Sequence, residues 1–177
     1  KLTVTFPRHV GQIPFNFPYK PAANTDGGLT PGPDGNQTRV NGALYDFGYG
    51  LSYTTFEYTN LLVEPQTIHG DEPFMVSFDV TNTGQRSGDE VVQLYIHDML
   101  STVTTYEKNL RGFDRVHLRA GETRRVTMQV RPQDLSLLNE RMERVVEPGD
   151  FEVLIGAPST DIRLKAIVTV EEVGGQA

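Results

Sequence analysis

No cysteine occurs among the 177 residues. Disulfides therefore contribute nothing to stability, and thiolate metal sites and cysteine nucleophiles are excluded. That absence suits cytoplasm and periplasm alike. Long apolar runs are missing too. None approaches the ~20 residues of a transmembrane helix, so no membrane partner is expected, and no signal peptide is visible. Basic clusters are also lacking: 23 acidic residues stand against 16 basic ones, for a net charge of −7. Nothing offers a footprint for a phosphate backbone, so nucleic acid is not an expected partner. The acidic balance mainly favours solubility.

Chemistry-bearing patterns are equally sparse. His9, His69, His97 and His117 show neither HxH nor HExxH spacing, and no cysteine could complete a zinc site, so no metal and no cofactor are expected. G-x-S-x-G does not occur; Gly48-Tyr49-Gly50-Leu51-Ser52 has the glycines but places its serine wrongly. Phosphate-binding glycine loops are absent. Glycoside hydrolysis needs two carboxylates facing each other across a pocket. The acidic pairs Asp71-Glu72 and Asp89-Glu90 sit beside turn signals and read as solvated charges. Glu140, Glu143 and Glu147, interleaved with Arg141 and Arg144, read as a partly self-neutralising segment. No catalytic residue is assigned.

Three zones are present. Residues 1–21 open on an alternating run, Leu2-Thr3-Val4-Thr5-Phe6, without an initiating methionine, and continue through Pro7, Pro14, Pro18 and Pro21, which enforce an extended path. A lone strand leaves backbone groups unpaired, so its sheet is expected in upstream sequence. Residues 22–55 are a connector rich in glycine, proline and asparagine, with turn chemistry at Asp26-Gly27-Gly28 and from Pro31 to Asn36. Asn36-Gln37-Thr38 matches the glycosylation sequon, a short and common pattern read as coincidental outside a eukaryotic secretory pathway.

Residues 56–177 repeat one theme, strands of period two between turns. Phe74, Val76, Phe78 and Val80 alternate with Met75, Ser77, Asp79 and Thr81. Val92, Leu94 and Ile96 oppose Val91, Gln93 and Tyr95. Val126, Met128 and Val130 follow, then Phe151, Val153 and Ile155 after the Glu147-Pro148-Gly149-Asp150 turn, and finally Ile162 to Val170. With Leu61–Glu64 and Leu110–Leu118 there are about seven strands, an all-β, immunoglobulin-like or fibronectin type III-like antiparallel sandwich preceded by an extended segment. A single helical turn is expected at residues 132–135. A zone of this length buries roughly two-thirds of its unfolded surface, enough for a core without staples.

One stretch asks for a special account. From Tyr45 to Phe56, five aromatics in twelve residues are interleaved with glycine. Aromatic faces stack on sugar rings, which is the sharper reading. The plainer and favoured one is that the rings bury apolar area and anchor the connector, with glycines permitting close backbone approach.

The run Phe47-Gly48-Tyr49-Gly50-Leu51-Ser52-Tyr53-Thr54-Thr55-Phe56 resembles the signature that precedes the C-terminal domain of glycoside hydrolase family 3. Further matches keep the family's order: Thr5-Phe6-Pro7-Arg8 with Val10–Pro14, Val80–Gly84 with Gly88–Tyr95, Leu110–Phe113, Leu118 with Gly121-Glu122-Thr123, and Glu147-Pro148-Gly149 with Phe151-Glu152-Val153. The resemblance covers nearly the whole chain. It implies a retaining, exo-acting β-glycosidase, for β-glucosides first and β-xylosides second, periplasmic or secreted. A barrel carrying the nucleophile and an α/β sandwich carrying the acid/base would precede a fibronectin-like domain. Residues 1–21 then resemble the last strand and exit of the α/β domain, no position here inherits a catalytic role, and the partners are those upstream domains, with a β-linked oligosaccharide at their active site. Asp46 stands where the family pattern has proline. A structural accessory role is favoured over a carbohydrate-binding or adhesive module and over a dimerisation surface.

Overall fold

The computed structural model describes residues 1–8, 16–20, 43–70 and 72–172. Expectations that fall on His9, the Val10–Pro14 motif, the Asn36 sequon, residues 22–42 of the connector and Asp71 lie outside the described residues.

Among the described residues, ten strands and one helical turn run in the order β1 (Phe56–Glu64), β2 (Thr67–His69), β3 (Phe74–Asn82), β4 (Gly88–Asp98), β5 (Asn109–Leu118), β6 (Thr123–Val130), α1 (Pro132–Leu135), β7 (Leu137–Leu138), β8 (Arg144–Val145), β9 (Gly149–Gly156) and β10 (Ile162–Glu171). A three-stranded sheet, β1-β3-β6, faces a five-stranded sheet, β2-β10-β9-β4-β5. This is the expected sandwich. The seven expected strands are its long ones; β2, β7 and β8 are the extra three, each of two or three residues, too short to show a period. The chain changes sheet at Glu64-Pro65-Gln66. β2 then pairs parallel with β10, against the otherwise antiparallel pattern.

Alternation produces the core. Phe74, Val76, Phe78 and Val80 of β3 are each at most 1% exposed and meet Val92, Leu94, Phe151, Val153, Ile155 and Val168 from the other sheet. Tyr58 of β1 stacks on Phe78 with ring centroids 5.9 Å apart. β1 begins five residues earlier than its alternation suggests, because Asn60 (φ 53°) and the adjoining register shift form a bulge that breaks the period. Asn60 Nδ2 donates to Asp79 Oδ2 (2.8 Å), and Arg125 bridges the Asn60 carbonyl and Asp79, so side chains hold the bulge.

The expected strand Leu2–Phe6 is reduced to one isolated bridge at Phe6, and its partner lies within this chain. Leu2 N donates to Tyr49 O, Gly48 N to Leu2 O and Phe6 N to Tyr45 O, each at 2.8 Å, and Phe6 and Tyr45 form an antiparallel bridge. The expectation of an upstream sheet for Leu2–Phe6 is corrected to this extent: one edge is paired with the connector. The partner lies about forty residues away in a glycine-rich stretch, where no period-two pattern marks a strand.

Asn82 ties the turns at one end of the sandwich together. It is fully buried, and its Nδ2 donates to the carbonyls of Arg86 (2.7 Å) and Leu118 (3.1 Å). Its Oδ1 accepts from Thr54 Oγ1 (2.6 Å) and Gly84 N (3.1 Å). A buried amide is tolerated only when so satisfied.

Truncating Phe78 to alanine at the centre of this core is expected to cost about 3–5 kcal/mol in urea unfolding; a loss under about 1 kcal/mol would mean that the strand faces are assigned the wrong way round.

Candidate functional site

Both faces of β4, which lies between β9 and β5 in the five-stranded sheet, are buried. Val92, Leu94 and Ile96 point into the core, whereas Gln93 (3% exposed) and Tyr95 (0%) point to the outer side of the five-stranded sheet. What covers that outer side is the incoming segment, through Phe17, together with the connector, through Phe47. Phe17 lies edge-on against Tyr95 at 5.7 Å, and Phe47 stacks on Phe17 at 4.6 Å. Gln93 donates from Nε2 to the Ala157 carbonyl and accepts from the Tyr95 hydroxyl. Burial raises the Tyr95 phenol well above its ordinary value, so it stays a neutral donor. Ser159 N donates to Phe47 O at 2.9 Å, and Thr160 Oγ1 to Asp46 Oδ2 at 2.8 Å. Asp46 thus ties the connector to the loop between β9 and β10.

Gly48 is the point of closest approach. Its φ is +79°, and an added Cβ would lie 2.5 Å from Gln93 Oε1 and 2.7 Å from Nε2. Only glycine permits both the left-handed backbone and the contact. The glycines of this motif therefore serve packing, as the plainer reading expects.

Further along, the incoming segment reaches the interior. Lys1 Nζ pairs with Glu90 Oε1 at 3.0 Å, and Val91 N also donates to that oxygen at 2.9 Å. Glu90 is 4% exposed. Its expected place as a solvated turn charge is wrong, and the signal that could have found it is its phase: 90, 92, 94 and 96 share the inward face of β4. Beside it, the hydroxyl of Tyr58 is buried without a hydrogen-bond partner. Burial and then the Glu90 charge push that phenol far above its usual range. Arg163 lies 4.7 Å over the Tyr58 ring, held by Asp161 (2.8 Å) and the Phe56 carbonyl (3.1 Å). The cluster clasps the start of β1 to β10.

The remaining connector rings do not reach the core. Tyr45 and Tyr49 are tilted against each other at 5.0 Å, with Phe6 edge-on to Tyr45 at 6.3 Å. Beside them lies an open hollow of about 370 Å³ lined by Lys1, Leu2, Tyr45, Tyr49, Gly50 and Leu51. Tyr53 is 93% exposed.

The other groups weighed in the sequence are scattered. Asp89 pairs with Arg115 and His117 on the surface, and both partners hold its carboxyl below the usual range. His69 lies 3.8 Å from Glu171, His97 bonds the Glu107 carbonyl, and Glu72 closes a turn on His69 N. Glu143 bonds Asn139, and Glu147 accepts from the amide and hydroxyl of Thr102. Among the described residues no three histidine or acidic side chains are grouped to hold a metal ion. Asp98, at the end of β4, has one oxygen buried without a partner. Burial raises its carboxyl above the ordinary value, the Leu100 amide offsets part of that, and the Glu147 charge adds to it.

Comparison with known proteins places this geometry. The fibronectin type III-like domain matches residues 90–159. A β-xylosidase of Formosa agariphila is 39% identical over 94% of this chain, and a periplasmic β-glucosidase of Salmonella typhimurium 36% identical over 92%. Each match takes up 22% of the relative's own length. Among solved structures, a β-glucosidase of Erythrobacter marinus superposes with a TM-score of 0.81 at 32% identity, over 94% of this chain and 21% of that one. A Listeria innocua β-glucosidase in complex with glucose gives 0.79 at 30% identity, over 94% and 23%. The chain thus spans about a fifth of the length of the proteins it matches.

Gly48→Ala is expected to cost more than Gly121→Ala. Gly121 has a similar φ (+75°) with open space around its Cβ position, so its change carries left-handed strain alone, about 1–2 kcal/mol. Equal losses in urea unfolding would show that the Gln93 contact carries no weight. For Asp98 the folded-state value lies above the unfolded one, so the fold loses stability as pH rises from the ordinary carboxylate range through the raised value. Asp98→Asn keeps an oxygen for the Leu100 amide and removes the charge. Its melting temperature should exceed the parent's at about pH 8 and converge with it below about pH 4. A lower melting temperature at the higher pH would contradict the assignment.

Proposed function

The chain belongs to glycoside hydrolase family 3, as the C-terminal part of such an enzyme, and from that premise we propose that it is a non-catalytic accessory domain of a retaining, exo-acting β-glycosidase. The parent's substrates are β-glucosides or β-xylosides, the two activities its relatives' names carry. Residues 1–21 are the exit of an α/β sandwich domain, residues 22–55 a connector, and residues 56–177 the fibronectin-like domain. Its partners are the α/β and barrel domains of the same polypeptide, where a β-linked oligosaccharide is cleaved. The location is periplasmic or secreted, in line with the Salmonella typhimurium relative's name.

The observation that carries the non-catalytic role is the chemistry of the hollow. Its lining holds one ammonium, tyrosine rings and a bare glycine, and no carboxylate. The buried carboxylate nearby, Glu90, is bound to Lys1 and the Val91 amide. A retaining glycosidase needs two carboxyls about 5–5.5 Å apart on either side of the scissile bond. A sugar-binding module is the second reading, favoured by the Tyr45–Tyr49 pair at the hollow's edge.

The isolated chain, assayed with nitrophenyl β-glucoside and β-xyloside, is expected to release nitrophenol no faster than buffer, while the full-length enzyme turns over at least one of them. Hydrolysis by the isolated chain would overturn the accessory role. Calorimetric titration with cello- and xylo-oligosaccharides is expected to give no binding heat; saturable heat would replace the accessory reading with the binding module.

A further inference from the structure

Lysine is scarce in this chain: Lys1, Lys20, Lys108 and Lys165 are its four. Three of them have a partner. Lys1 Nζ pairs with Glu90 at 3.0 Å, Lys165 Nζ lies 3.7 Å from Glu152 Oε1, and Lys20 Nζ stands 6.0 Å over the Tyr106 ring. Lys108 is partly buried, yet it has no ion pair among the described residues. Its backbone is fixed on both sides. Glu107 N donates to Tyr19 O at 3.0 Å, the Glu107 carbonyl is bonded to His97 of β4, and Asn109 opens β5 opposite Ile96. The charges that reach the Lys108 amine come from its own loop, from the connector and from two strands: Glu107, Asp46, Glu152 of β9 and Lys165 of β10. Two of the three carboxylates are already engaged, Asp46 by the Thr160 hydroxyl and Glu152 by Lys165. Burial lowers the pKa of this amine, Glu107 offsets part of that, Lys165 lowers it further, and Asp46 and Glu152 offset again. Desolvation and a neighbouring cation are the two conditions that turn a lysine into a nucleophile.

We propose that the ε-amine of Lys108 is a covalent modification site for small aldoses, taking up as an imine the sugar that the parent enzyme releases; the source of that sugar rests on the glycosidase reading above. The amine nitrogen adds to the C1 carbonyl carbon of the open-chain aldose. A C–N bond forms, the C–O bond breaks, and the carbonyl oxygen leaves as water with the two protons of the amine. Nothing is oxidised or reduced, so no further reactant is needed. An unhydrolysed glycoside whose C1 is locked in an acetal cannot take this step, whereas the free sugar left by hydrolysis can. Lys108 alone among the four lysines combines burial with the lack of a counter-charge among the described residues, and the bonds at Glu107 and Asn109 hold it in that setting.

The experiment incubates the full-length protein at pH 7 with D-glucose or D-xylose and sodium cyanoborohydride, which reduces any imine to a stable amine, and follows the mass added peptide by peptide. Lys108 is expected to gain label about fivefold faster or more than Lys20 and Lys165. Exposure alone predicts the opposite order, since Lys20 is exposed and the Lys165 side chain is 61% exposed. In urea the excess at Lys108 should vanish and the lysines should react alike, because the setting that favours it belongs to the fold. Lys165 or Lys20 leading in the folded protein, or an excess at Lys108 that persists in urea, would overturn the proposal. Lys108→Arg keeps the positive charge and should remove the fast-labelled peptide; a fast label that stays would assign the reactive amine elsewhere and overturn it too. The sugar is supplied from outside, so the measurement stands apart from the hydrolysis assay. A full-length protein that cleaves neither glycoside removes the functional reading, whereas uniform labelling with hydrolysis intact removes only the Lys108 site.

Discussion

Two faces of one strand govern this structure. The inward face of β4 delivers Val92, Leu94 and Ile96 to a core that the two sheets share with Phe78, Phe151 and Ile155. Most of the stability follows from that burial, since apolar surface removed from water is the dominant favourable contribution in folding. The outward face delivers Gln93 and Tyr95, which a solvated sheet would leave wet. Their burial means that a second layer lies over β4, and Phe17 of the incoming segment with Phe47 of the connector forms that layer.

Placement of the second layer depends on polar satisfaction as much as on area. The Gln93 amide is spent on Ala157 and Tyr95, which fixes its position and makes the Gly48 backbone the one shape that fits above it. At the strap's far end Asn82 spends all four of its side-chain bonds on turns and on Thr54. Between these two anchors the Lys1–Glu90 pair sits where solvent is largely excluded. A buried pair of this kind adds little net stability, yet losing one partner is costly. The connector is thereby a registered part of the fold. Its Phe47 ring is consumed by packing, whereas Tyr53 stays exposed.

Legibility in the sequence follows the range of the interaction. The strands of β3, β6, β9 and β10 were readable because their alternation is local, and the proline at the first position of α1 marked the single helical turn. β1 was readable only past its bulge. Glu90 carried its signal in its phase with Val92, but adjacent turn chemistry (Ser87, Gly88, Asp89) masked it. Asn82 looked like a turn residue and is one, but the carbonyls it serves come from β5 and from the loop after β3. The pairing of Phe6 with Tyr45 had no signal, since register between segments forty residues apart is set by what both pack upon.

Taken alone, the amino-acid order determined an all-β sandwich, the absence of a catalytic constellation in recognisable spacing, and a family signature at Phe47–Phe56. These rest on period, turn chemistry and residue type, which act between near neighbours along the chain. Only the tertiary structure decided that Phe17 and Phe47 cover the outer face of β4, that Glu90 is buried on Lys1, and that Leu51 and Tyr53 stay exposed. Those outcomes depend on which surfaces two closed sheets leave unsatisfied, a property that exists only once the sheets have closed.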